Sequence, residues 1–235
     1  MHRRRYHVRD LSPRDRSALR IAACRIRYVF LAESPHKDEV TDPIARKRMP
    51  LVGDAGKRFW REIGTALGIV IDPDDPQQIL QVCRKYGIAV INAVQFPIGY
   101  TIIRSHWQAN PLRLLGFSKP PRSKKLKAYL SGKAYCSPAK RAKVQPVLKS
   151  LRKRLTDPAL ASARVYCLGG DARWFTRRVW QAGMPPIDDT VIPHPAVWFN
   201  PKHAAKGKTD LARILKGALL PVGSGEPIGQ RIGGP

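Results

Sequence analysis

Four short apolar runs, each followed by a polar or glycine-containing cluster, constrain the fold of this chain more than any other feature. The runs span 27–31, 88–91, 165–168 and 190–193. Such runs are typical of parallel strands that are buried on both faces, with helices between them. The sequence therefore predicts a three-layer α/β/α fold with a central four-stranded parallel sheet. The strands are expected at 26–32, 88–94, 164–168 and 189–193.

The clusters that follow the runs are expected to meet at one edge of this sheet. In an open α/β sheet, ligands bind beyond the carboxyl ends of the strands. Glu33, Asn92 and His194 each follow or end such a run, so they are predicted to converge on one crevice although they lie far apart in sequence. A carboxylate, a side-chain amide and an imidazole at one site indicate base recognition combined with hydrolysis.

Helix signals occupy the segments between the strands. The cluster 53–56 opens a helix through about Leu67, and its apolar residues at helical spacing are expected in the core. These residues are Phe59, Trp60, Ile63 and Leu67. The Asp and Pro residues at 72–76 predict the cap of a second helix, which ends near Gly87. Further helices are predicted at 137–155, 171–182 and 208–220.

The chain is predicted to form one domain with a segment at each end. Residues 1–20 are expected to form a basic N-terminal arm, and the Gly- and Pro-rich residues 221–235 a flexible tail. A single domain over 21–220 suits the length of the chain. Within that domain, residues 98–154 form a basic excursion.

A large excess of positive charge predicts a polyanionic partner. The chain has 43 Lys and Arg residues against 17 Asp and Glu residues, a net charge of +26, and no acidic residue lies between Asp75 and Asp157. Such a surface attracts nucleic acid and releases its counterions. Anionic membrane is a weaker candidate, because the basic residues alternate with Pro, Gly and Tyr and form no clean amphipathic face. Lys124, Lys125 and Lys127 are the predicted DNA contacts within the excursion.

Other sequence features narrow the setting of the protein. No apolar run is long enough to span a bilayer, and the basic start 1–5 lacks the apolar region of a secretory signal, so we expect a cytoplasmic, nucleoid-associated protein. The four cysteines are dispersed and are expected to be reduced thiols. His194 and His203 are not at metal-ligand spacing. We therefore predict no metal ion and no cofactor.

The clusters resemble, in order over about residues 27–200, the motifs of the uracil-DNA glycosylase superfamily. The pattern is most similar to that of family 4, although the iron–sulfur cysteines of that family are absent. Ser34 stands where family 1 enzymes carry an aspartate, and Leu51 stands where an aromatic residue stacks on uracil. The matching segments are 32–39, 50–56, Asn92, 168–172 and 194–196.

The resemblance implies a role for each residue of these motifs. Glu33 and Glu39 match the two glutamates of family 4 and, with His194, are the candidate catalytic residues. One carboxylate would stabilise the positive charge on the sugar or orient water, and His194 would donate to uracil O2. The Asn92 amide offers a donor and an acceptor that match uracil O4 and N3–H. The remaining residues of the base pocket are Ser34, Pro35, His36, Leu51 and Gly53.

The predicted function is therefore excision of uracil that has been flipped out of DNA, by a protein that acts as a monomer and releases free uracil. Trp198 and Phe199 follow the His194 motif and are candidates for a wedge that fills the vacated base stack, or they pack in the core. Two alternatives stay open. One is a glycosylase for another deaminated base such as hypoxanthine, and the other is a non-catalytic nucleic-acid-binding protein with the same fold.

Overall fold

The computed structural model describes residues 25–34, 51, 53–94, 124, 127, 128, 131 and 138–218. These residues contain a four-stranded sheet in which all strands are parallel, in the order β2-β1-β3-β4. The strands are β1 (Tyr28–Ala32), β2 (Ile88–Asn92), β3 (Arg164–Leu168) and β4 (Ile187–Ile192). The predicted parallel sheet is thus confirmed.

Among the described residues, five helices with complete bounds cover the two faces of the sheet, which confirms the three-layer α/β/α arrangement. They are α1 (Asp54–Leu67), α2 (Pro76–Tyr86), α3 (Pro138–Leu155), α4 (Gly170–Val179) and α5 (Pro201–Leu215). Buried residues of α3 and α4 pack with Val29 and Leu31 of β1, whereas those of α1, α2 and α5 pack with Tyr28, Phe30 and Ala32. Because successive strand residues point to opposite faces, each central strand supplies both cores. The apolar residues predicted for the core of α1 are all buried.

Several element boundaries differ from the sequence prediction. Helix α5 begins at Pro201 and not at 208, because the Asn200 side chain accepts a hydrogen bond from the Lys202 N–H at 3.0 Å and caps the helix ahead of Pro201. Helix α4 ends at Val179 and not at 182, since Trp180 has an extended backbone. Strand β4 begins two residues earlier than predicted, because the edge of the sheet accepts polar residues that an apolar-run rule overlooks.

The connections between strands create a switch point between β1 and β3. The chain leaves β1 through α1 and α2 to β2 on one side, and it leaves β3 through α4 to β4 on the other side. The two sets of helices lie on opposite faces, as the right-handed crossover rule requires. Such a switch point opens a crevice at the carboxyl ends of the two central strands.

The predicted arm 1–20 and tail 221–235 lie outside the described residues. Within the 98–154 excursion, Lys124, Lys127 and Ala128 are helical, and α3 forms its C-terminal part. No helix among the described residues has the length and apolar character needed to cross a membrane.

Candidate functional site

The strand order brings three predicted site residues to the same edge of the sheet. Asn92 ends β2 and is in register with Ala32 at the end of β1, which Glu33 follows. His194 follows β4, on the far side of β3. Two strand spacings, about 10 Å, separate β1 from β4. Glu33, Asn92 and His194, hereafter the strand-end site, thus share the carboxyl edge at the switch point.

Backbone hydrogen bonds continue from β1 to β2 beyond the regular strands and hold Glu33 beside Asn92. The N–H of Ala93 donates to the carbonyl of Ala32, and the N–H of Val94 donates to the carbonyl of Glu33, each at 2.8 Å. Asn92 is only 1% exposed. A buried amide with a fixed backbone can bind a ligand in one orientation with little loss of entropy.

Arg154 is a residue of this region that the sequence prediction assigned to the basic surface. Its guanidinium donates to the carbonyl of Asn92 at 2.7 Å and to the carbonyl of Ala93 at 3.1 Å. The spacing within α3 carries a signal for this position, because Arg154 lies three residues after Leu151 and next to Leu155, both of which are buried. Helical spacing therefore places Arg154 at the border of the apolar stripe.

His194 is held in one orientation by the turn that follows it. Its Nδ1 accepts a hydrogen bond from the Ala196 N–H at 3.1 Å and caps the short 3-10 turn Pro195–Val197. Burial lowers the pKa of His194 to about 4, against an opposing effect of the negative charge of Asp171. The neutral imidazole therefore predominates at pH 7. Because Nδ1 is an acceptor, its proton lies on Nε2, which can donate to a ligand.

Gly169 allows the end of β3 to approach His194. It has a φ of +90°, and a Cβ atom at this position would lie 3.2 Å from the Cβ of His194. Its N–H donates to the carbonyl of Ile192 at 2.7 Å. A side chain here would require both an unfavourable backbone conformation and a shift of the imidazole.

Two basic residues of the predicted DNA contacts differ in their surroundings. Lys127 forms an ion pair with Asp171 in the first turn of α4. Lys124 is exposed. Lys127 therefore compensates a carboxylate that acts on His194, a role that the sequence pattern did not indicate. Lys125 lies outside the described residues.

The two aromatic residues after the His194 motif have opposite environments. Trp198 is 7% exposed, and its Nε1 donates to the carbonyl of Pro193 at 2.9 Å. Helix α5 approaches this indole so closely that a Cβ atom on Gly207 would lie 2.6 Å from the ring. Phe199 is 76% exposed. Of the pair, Phe199 is the residue that can reach a partner without unfolding the turn.

The predicted base-pocket residues are only partly among those described. Leu51 has a φ of 60° and is 4% exposed, and it packs in the apolar cluster that contains Ala32. Gly56 in the first turn of α1 has no room for a Cβ atom, because that atom would overlap the backbone of Leu51. Gly53 precedes α1 and Ser34 follows Glu33, and both are partly buried. The predicted site residues Pro35, His36 and Glu39 lie outside the described residues.

The described part of the chain contains no group of three His, Cys, Asp or Glu residues that could hold a metal ion. Cys83 and Cys167 are buried free thiols, and burial raises the pKa of both. Thiols in such surroundings are poor nucleophiles. The prediction of reduced cysteines is confirmed for these two residues.

No protein-family model matches the chain, and no curated protein matches it. Among solved structures, the chain is similar to the crystal structure of a wild-type UNG from Nitratifractor salsuginis. The sequence identity is 13% and the TM-score is 0.32, over 83% of this chain and 74% of that chain. Because a likeness at this level is weak, function is inferred from the residues of this chain.

Proposed function

We propose that this protein is a DNA glycosylase that flips uracil out of DNA, hydrolyses its N-glycosidic bond and releases free uracil. The observation that carries this proposal is the shared carboxyl edge, where the buried amide of Asn92 lies beside Glu33 and opposite a neutral His194. The amide supplies base recognition, the carboxylate supplies negative charge near the sugar, and the imidazole supplies a donor for the departing base.

Base recognition depends on Asn92. Its side chain lies on the same sheet face as Ile88 and Val90, because strand residues alternate between faces. The amide donates to uracil O4 and accepts from N3–H. Cytosine has the reverse pattern at these two atoms, so binding it would leave buried polar groups mismatched, at a cost of roughly 1–3 kcal/mol.

Bond cleavage separates charge, and the site offers a partner for each charge. The bond between the sugar C1′ and uracil N1 breaks, its electron pair leaves with the base, and positive charge develops on the sugar. Glu33 stabilises this cation, and the His194 Nε2–H donates to uracil O2 as negative charge develops there. The oxygen of a water molecule then bonds to C1′, and its proton passes to a carboxylate. We assign the orientation of this water to Glu39.

Binding of DNA requires contacts away from the base. Lys149, Arg152 and Lys153, hereafter the cationic face of α3, are exposed, and none of them forms an ion pair with another described residue. These residues and Lys124 supply attraction to phosphates without sequence preference. The exposed Phe199 is suited to enter the stack that the flipped base vacates.

A base-release assay tests this proposal. The purified protein is incubated with a duplex that contains one uracil, and abasic sites are then cleaved by alkali. A duplex with thymine at the same position is the control, and His194→Asn is the matched variant, because its Oδ1 can accept the Ala196 N–H bond whereas its shorter NH2 group does not extend as far as the imidazole Nε2–H. Strand cleavage that requires both uracil and His194 is the expected result. No cleavage by the wild-type protein contradicts the assignment of uracil.

The side chain at position 51 is the reason to test a second substrate. Leu51 is aliphatic and is buried in the apolar core, so it offers no aromatic face on which a base could stack. A duplex that contains hypoxanthine is therefore tested in parallel. Cleavage of that duplex alone would identify a glycosylase for a different deaminated base, and cleavage of neither would favour a non-catalytic DNA-binding protein.

A further inference from the structure

The guanidinium of Arg154 joins α3 to the end of β2 through two consecutive carbonyl groups. It donates to the carbonyl of Asn92 at 2.7 Å and to that of Ala93 at 3.1 Å. On either side of Arg154 in the apolar stripe, Leu151 and Leu155 pack into the same core cluster as Ala93. The part of α3 that carries Arg154 is thus anchored in the core, and two hydrogen bonds fix the guanidinium at the end of β2.

Helix α3, which carries Arg154, and the side chain of Asn92 lie on opposite faces of the sheet. The side chains of Ile88 and Val90 pack with α1, α2 and α5, and alternation places the Asn92 side chain on that face. Helix α3 packs on the opposite face. Arg154 therefore holds the Asn92 backbone from one side of the sheet, while the amide remains directed to the other side.

We propose that Arg154 is a positioning residue for base recognition, which fixes the backbone at the end of β2 so that the Asn92 amide presents its donor and acceptor in one orientation. This inference rests on the proposed function. β2 has β1 as its sole neighbour in the described sheet, so its end lacks the support that a strand on the other side would provide. A planar guanidinium bridges two carbonyls, whereas an ammonium group is a point donor.

The first experiment tests whether Arg154 fixes the backbone at the end of β2, and it does not depend on activity. Amide hydrogen exchange is followed at Ala93 and Val94, whose N–H groups bond to the carbonyls of Ala32 and Glu33. In Arg154→Lys and Arg154→Gln, exchange at these two amides should rise about tenfold or more, while exchange at Val29 in the middle of β1 stays unchanged. Arg152→Lys is the matched control, because Arg152 is exposed on the same helix.

Unchanged exchange at Ala93 and Val94 in both Arg154 variants would overturn the proposal, and so would an equal rise in Arg152→Lys. An equal rise in exchange at Val29 would mean that the variants loosen the whole domain, which also counts against a local effect of Arg154 on the end of β2. Because this readout needs no substrate, it remains informative even if the protein does not excise uracil. A negative result for uracil excision is thus distinguishable from a negative result for the positioning role of Arg154.

The second experiment separates positioning from a structural role. Arg154→Lys retains the positive charge, so KM for a uracil duplex and its salt dependence should stay within about twofold of the wild-type values. We expect kcat to fall about tenfold or more, because a displaced amide no longer holds the base for reaction. Arg152→Ala should show the opposite split, with a higher KM and an unchanged kcat. Faster exchange together with wild-type kcat in Arg154→Lys would show that Arg154 only stabilises β2, and the proposal would be wrong.

Discussion

The strand-end site and the cationic face of α3 both carry polar groups, but these groups differ in burial and in their bonding partners. Asn92 is buried, its carbonyl accepts a hydrogen bond from Arg154, and the N–H of the next residue, Ala93, donates to β1. On the cationic face of α3, the side chains are exposed and no described acid pairs with them. Polar groups held in a low-dielectric site interact strongly and specifically, whereas exposed charges interact weakly and over a long range. Selectivity is therefore expected at the strand ends, and non-specific affinity on α3.

Helix α5 shows that exposed basic residues are not all equivalent. Lys206 pairs with Asp210 at 2.7 Å, and Lys208 pairs with Glu62 of α1 at 3.0 Å. These lysines already have acidic partners, so they offer less charge to a polyanion than the cationic face of α3. Lys208 is consequently a suitable control for any test of that face.

The largest expected effect is on the reaction rate when a carboxylate loses its charge. Glu33→Gln and Glu39→Gln should each slow single-turnover excision by about a hundredfold or more, on the scale of general acid–base catalysis. Binding to a uracil-containing oligonucleotide should change little in either variant. Rapid-quench kinetics with enzyme in excess measures the rate, and wild-type rates in both variants would contradict the mechanism.

The lowered pKa of His194 should make the free energy of unfolding depend on pH. The pKa of His194 is about 4 in the folded protein, against about 6.5 in an unfolded chain. Between these values the unfolded chain binds a proton that the folded protein excludes, so stability should fall as pH decreases from about 6.5 to about 4. The expected loss between pH 7 and pH 5 is roughly 2 kcal/mol.

Urea unfolding of the wild-type protein and of His194→Asn at both pH values measures this loss. The asparagine carbonyl can accept the Ala196 N–H bond and does not titrate, so the variant should lack this contribution. An equal pH dependence in the two proteins would mean that His194 is not protected from protonation.

Substitution of Asn92 should have a smaller effect than substitution of a catalytic carboxylate, and this effect should depend on the base. Asn92→Asp replaces the amide by a carboxylate that cannot donate when it is ionised, and the mismatch should cost roughly 1–3 kcal/mol in uracil binding. It should also relax discrimination against cytosine. Competition between free uracil and free cytosine in the excision assay measures both effects. Wild-type uracil turnover in Asn92→Asp would show that Asn92 does not read the base.

The cationic face should give the smallest effect per residue and no selectivity. Replacing Lys149, Arg152 and Lys153 together by Ala should weaken binding to all DNA sequences, and it should reduce the slope of affinity against salt by about 0.9 for each phosphate that the variant no longer neutralises. Fluorescence anisotropy at several salt concentrations measures this slope. Lys208→Ala should leave it nearly unchanged, and a larger effect from that control would move the DNA-binding surface to α5.

The local pattern predicted the elements well, but it assigned individual side chains less reliably. The apolar runs located the strands, and the capping signals at 72–76 located α2, because both depend on near neighbours in the chain. The pattern grouped Arg154 with the other basic residues of 98–154 and grouped Trp198 with Phe199. The structure separates each group, since Arg154 bonds to β2 and Trp198 packs against α5. Such contacts join residues that are distant in sequence.

The sequence by itself determined that β1 to β4 form a parallel sheet with polar residues after the strands, because apolar periodicity and caps act over a few residues. Only the tertiary structure decided which of these residues meet. The order β2-β1-β3-β4 places Glu33 beside Asn92, and the close approach of Gly169 positions His194. The pKa of His194 is likewise a tertiary property, because it is lowered by the burial that surrounding elements impose. Distances across a sheet depend on strand order, which no local pattern encodes.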